Sequence, residues 1–153
     1  EFTGDSVVRR LAADTSPRRV WRTNLAAASV GYYAIFAGGT TRTARSGTAR
    51  ADVNAYNTSL TRSTPTALSV ARRMLAGASA GNYALFAGGA GESVVDAYNT
   101  SLTRSTPAEL SAERHNLAGA SVGDYAIFAG GQNSSSGAIG TVDVYADIND
   151  LNI

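Results

Sequence analysis

The sequence predicts an all-β protein assembled from repeated sheets of four short antiparallel strands, and three observations carry that prediction. A fifteen-residue phrase occurs three times, as Leu25–Gly39 (LAAASVGYYAIFAGG), Leu75–Gly89 (LAGASAGNYALFAGG) and Leu117–Gly131 (LAGASVGDYAIFAGG). A second phrase follows each copy: Val53-Asn54-Ala55-Tyr56, Val95-Asp96-Ala97-Tyr98 and Val142-Asp143-Val144-Tyr145. Between the two phrases the chain stops at a glycine pair and then varies freely in length. Self-similarity at offsets of 50 and 42 residues marks a repeat architecture.

Each element of one unit follows from local chemistry. Ala120-Ser121-Val122 forms the first strand, and Gly123-Asp124 joins it to the second through a two-residue turn of type II′ composition, glycine first and a small polar residue next. In the second strand Tyr125, Ile127 and Ala129 share one face while Ala126, Phe128 and Gly130 share the other. Neither face is polar, so the strand needs cover on both sides. The glycine pair ends it, because glycine accepts positive φ and lets another backbone come close. The valine-acid-valine-tyrosine phrase makes the third strand, Asn99-Thr100 supplies turn chemistry, and Leu102 to Thr106, halted by Pro107, makes the fourth. Four antiparallel strands that demand neighbours on both faces describe one blade of a β-propeller.

A Tyr-Ala-Ile-Phe-Ala-Gly-Gly strand, a variable loop, Val-Asp-Val-Tyr, then a downstream leucine and arginine (Leu68 and Arg72, Leu110 and Arg114) together resemble the kelch repeat. The resemblance covers roughly residues 25 to 145 and implies a propeller scaffold. It departs at the fourth strand, where the family's tryptophan is replaced by Leu60-Thr61-Arg62 and Leu102-Thr103-Arg104. The only tryptophan is Trp21.

The units divide the chain into a diverged partial repeat or closing strand (1–24), then blade 1 (25–74), blade 2 (75–116) and blade 3 (117–153), whose fourth strand is incomplete. Thr23-Asn24-Leu25-Ala26 parallels His115-Asn116-Leu117-Ala118, as the tail of a preceding unit would. Propellers close with about four to eight blades, so three leave two apolar end faces. The expected assembly is a homodimer: two chains completing one six-bladed ring, with each N-terminal segment finishing its partner's third blade. Charge supports that arrangement. Residues 1–50 carry eight arginines against three acids (+5), whereas residues 51–153 carry five against nine (−4).

Composition narrows the chemistry. Absence of cysteine excludes disulfides, thiolate metal sites and cysteine nucleophiles. All 13 basic residues are arginine, which removes Schiff-base chemistry and the phosphate-loop lysine. With one histidine, multi-histidine zinc sites are excluded, and no metal or cofactor is expected. No run reaches the 18 or so apolar residues of a membrane helix, and the arginine-rich first 25 residues do not read as a signal peptide. The basic third lacks the dense run or interleaved aromatics of a nucleic-acid footprint.

Loops of unequal length on a constant frame usually carry a repeat protein's specificity. Here they are 40–52, 90–93 and 132–140 with the linkers 69–73 and 111–116, so the expected ligand-binding face holds Arg42, Arg45, Arg50, Arg72, Arg73, Glu92, Arg114, His115, Gln132 and Asn133. Arginine forks and amides suit a protein, peptide or glycan ligand. A catalytic alternative uses His115 with Glu113 and Ser121, the serine lying in a G-x-S-x-G match. That motif needs a helix after the serine, yet a strand follows. Asp147-Ile148-Asn149-Asp150 lacks the distal glutamate of a calcium loop and reads as a polar tail. The favoured function is a binding and self-assembly module; a weak hydrolase is the alternative.

Overall fold

The computed structural model describes residues 22–41, 47–135 and 137–148. Among them every regular element is a β-strand. The first sheet runs Ala26–Val30, Tyr33–Ala37, Val53–Asn57 and Arg62–Ser63 in spatial order. The second runs Ala76–Ala80, Tyr83–Ala87, Val95–Asn99 and Arg104–Ser105. In the third, the described strands are Ala118–Val122, Tyr125–Ala129 and Val142–Ala146. All neighbours pair antiparallel.

Turn chemistry fixes each register. Val30 pairs with Tyr33, Ala80 with Tyr83 and Val122 with Tyr125, leaving two-residue loops whose first residues, Gly31, Gly81 and Gly123, take φ of 51°, 49° and 53°. The fourth strand is shorter than the expected 102–106. Asn99 folds the chain back first: its side-chain Oδ1 accepts from the Ser101 and Thr103 amides, and Leu102 is held at φ 62°. Only Arg104–Ser105 remains to pair with Ala97 and Tyr98. Asn57 and Leu60 repeat the device one unit earlier.

The sheets stack face to face. Ile35, Ala37, Val53 and Ala55 on the forward face of the first pack against Ala84, Phe86 and Tyr98 on the rear of the second. Leu85, Ala87, Val95 and Ala97 pack likewise against Ala126 and Phe128 of the third. First strands of adjoining sheets touch directly. A Cβ on Gly77 would lie 2.3 Å from the Ala27 carbonyl oxygen, and one on Gly119 would lie 2.4 Å from that of Gly77. Both positions therefore require glycine.

The outer faces are bare in the single chain. Val142 is 56% exposed, whereas its counterparts Val53 and Val95 are 3% and 1% exposed. At the other end Phe36 is 36% exposed, against 0% for Phe86 and Phe128. Each sheet thus has two apolar sides, as the alternation in the second strand predicts. The closing-strand reading of 1–24 falls mostly on residues 1–21, outside those described. Arg22–Thr23 pairs with Thr40–Thr41, which pairs in turn with Thr48–Ala49.

Candidate functional site

The variable loops spring from equivalent backbone clamps. Gly38, Gly88 and Gly130 donate their amides to the carbonyls of Asp52, Val94 and Thr141, closing loops of different length in the same way. Linkers between sheets lie beside them: the amides of Arg72 and Arg114 donate to Arg50 and Glu92. His115 and Gln132 exchange backbone hydrogen bonds, which places the sole histidine beside the last loop. One edge of the stack thereby gathers Arg50, Arg73, Glu92, Glu113, His115, Gln132 and Asn133.

Several of these residues are already engaged with the frame. Arg50 Nε donates to Asp52 at 2.6 Å, an exposed pair in which the guanidinium holds the carboxyl below the usual aspartate range. Arg73 Nη1 donates to the Gly47 carbonyl at 3.1 Å, tying a linker to the first loop. Glu113 accepts from Ser134 Oγ at 2.6 Å, and the Asn133 side chain caps the Ser135 amide. Arg42 and Arg45 lie outside the described residues.

Arg72 and Arg114 do not belong to the loop face, a correction to the sequence reading. They are 1% and 0% exposed and turn inward between sheets. Arg72 donates to Asp96 at 2.6 Å and to the Phe86 carbonyl, while the Ser69 amide and hydroxyl donate to the same carboxylate and Arg104 Nε lies 3.8 Å from it. Arg114 donates to Asp143 at 2.7 Å and to the Phe128 carbonyl, and Ser111 repeats the part of Ser69. Burying a charge demands such pairing. Nearby, Tyr98 and Tyr145 donate their hydroxyls to the Thr66 and Ala108 carbonyls. Burial, with the adjacent carboxylate second, pushes both phenols up, Tyr145 to about 12.

Asp96 and Asp143, the carboxylates that pair with these arginines, are what sequence reasoning passed over. The signal was present in Val-Asp-x-Tyr, where an acid occupies an otherwise apolar strand and is preceded by an arginine, Arg72 or Arg114, in the linker that leads into its unit. The first sheet breaks the pattern with Asn54. There Arg22 donates instead to the Gly38 and Asp52 carbonyl oxygens, at 2.8 and 2.6 Å. Burial lowers its pKa, partly offset by the Asp52 charge. Arg22, Phe36, Asn54 and Tyr56 line an open groove of about 520 Å³ on this rear face.

The catalytic alternative does not assemble. Ser121 Oγ accepts from the Ser79 amide at 2.7 Å, and Ser79 Oγ donates to the Ser29 carbonyl at 2.5 Å. These serines therefore link adjoining first strands, and a strand, not a helix, follows each of them. No hydrogen bond joins any two of Ser121, His115 and Glu113. Among the described residues no three His, Cys, Asp or Glu side chains form a metal-sized group. Asp147, read as part of a polar tail, is 3% exposed and caps the second sheet's hairpin by accepting from the Asn82 amide.

Stacked four-stranded sheets joined through adjoining first strands define an all-β protein of the propeller type. The solved structure titled "Structure of YjhT" is similar to this chain, with a TM-score of 0.73 at 13% sequence identity. The match covers 88% of this chain and 45% of that one, so the chain spans under half the length of its structural neighbour. No protein-family model matches, and no curated protein matches in sequence. The resemblance to kelch repeats therefore rests on the quoted motifs alone.

Proposed function

We propose that the chain is a non-enzymatic, kelch-like propeller scaffold whose variable loop edge binds a polar ligand, a protein, peptide or glycan. One observation carries the reading: three loops of unequal length leave the stack through the same glycine-amide clamps. Length and composition thus vary where they do not disturb the sheets, the usual division between frame and specificity in repeat proteins. The last loop presents Gln132, Asn133, Ser134 and Ser135 beside His115 and Glu113, a surface rich in hydrogen-bond donors and acceptors.

The test is a screen of peptide and glycan arrays with the wild-type chain and with a Gln132→Ala/Ser134→Ala double variant. Expected is a defined set of bound features that weakens in the double variant while circular dichroism stays unchanged. Binding that ignores the loop substitutions, or no bound feature at all, overturns the reading.

A further inference from the structure

The two bare end faces are opposite halves of an interface that this chain builds twice internally. We propose that the partner covering them is a second copy of the same chain, with the forward face of sheet three seated on the rear face of sheet one, and that this seam is looser than the internal interfaces. The proposal concerns assembly and goes beyond the loop-edge reading.

Two observations select a second copy as the occupant. Face chemistry comes first: Val122, Val142 and Val144 lie on the side whose equivalents in sheets one and two are buried by the next sheet. Phe36 and Tyr56 occupy the side whose equivalents, Phe86 and Tyr98, are buried by the preceding sheet.

Second is a backbone ladder between sheets. The Met74 amide donates to the Asn24 carbonyl at 3.0 Å, and the Asn116 amide donates to the Met74 carbonyl at 2.9 Å. All three residues share positive φ, 56°, 61° and 54°, so the rungs are equivalent. The next rung joins Asn24 of one copy to the Asn116 carbonyl of the other.

The seam cannot copy the internal interface closely, because two residues on the rear of sheet one depart from the repeat. Ala27 stands where Gly77 and Gly119 stand in the later sheets. At the internal spacing its Cβ would lie about as near the opposing Gly119 carbonyl as the 2.3 Å found for a Cβ on Gly77, so the first strands must separate. Asn54 stands where Asp96 and Asp143 neutralise a buried arginine, so covering sheet one buries the Arg22 guanidinium without its carboxylate.

Sedimentation equilibrium over a concentration series tests both parts. Wild type should approach twice 15.7 kDa, and Val144→Asp should sediment as one chain with its β circular dichroism retained. Ala27→Gly and Asn54→Asp should each tighten association, by roughly tenfold for a change worth about 1.4 kcal/mol. A single-chain mass for wild type at high micromolar concentration overturns the proposal, as does a Val144→Asp chain of unchanged mass. Association left unaltered or weakened by both tightening substitutions overturns the assigned register. Array binding by a chain that sediments as a monomer would leave the loop-edge reading standing while this one falls.

Discussion

Met74 holds a left-handed backbone at φ 61° where its counterparts are Asn24 and Asn116. Asparagine tolerates that conformation better than an unbranched apolar residue, so Met74→Asn should raise unfolding free energy by about 0.5–1 kcal/mol in urea titration. Arg72 is the opposite case. Arg72→Ala takes the close ion-pair partner from the Asp96 carboxylate, 0% exposed, leaving it Ser69 and the more distant Arg104, and should cost about 3 kcal/mol. Arg114→Ala should cost less, since Asp143 is more open and Arg114 leaves Nε and Nη1 without partners where Arg72 leaves only Nε. Acidity adds a further test. Folding raises the phenol pKa of Tyr98 and Tyr145, so the stability that they confer is complete below about pH 10 and declines as pH climbs toward about 12. A Tyr98→Phe/Tyr145→Phe chain should lose that alkaline slope in a comparison of urea midpoints from pH 8 to 11.5.

Strands and turns were largely legible because the residues that make them act locally. Gly-Asp and Gly-Asn set the hairpins, and alternation in Tyr-Ala-Ile-Phe-Ala showed that both faces need cover. The fourth strand was misjudged in length, since the Asn99 cap and the positive φ of Leu102 spend residues that look extended on paper. Close packing of first strands was not legible in the sequence; the need for glycine at 77 appears once Ala27 of the neighbouring sheet is in place. Gly77→Ala should therefore destabilise by about 1–3 kcal/mol through forced separation of sheets one and two. Gly140→Ala, with nothing within 4 Å of the added carbon, should leave the denaturation midpoint nearly unchanged.

For the molecule as a whole, the doubly apolar sheets announce that each end face needs cover, and the structure shows which side of each end is bare. The binding edge was harder to read. Loop and linker arginines look identical on paper whether they reach outward like Arg50 or inward like Arg72, and the difference depends on an aspartate more than twenty residues away. If a second copy closes the stack, thermal midpoints should rise with protein concentration, as they do whenever association stabilises the native state. Scanning calorimetry across a hundredfold dilution checks this, and an invariant midpoint speaks against closure. The rungs through residues 24, 74 and 116 carry a final consequence. They are made by main-chain atoms, so the alignment of one unit on the next survives substitution of the side chains around it. After duplication, descendants of a single ancestral unit can drift apart in composition and loop length and still inherit the same docking angle.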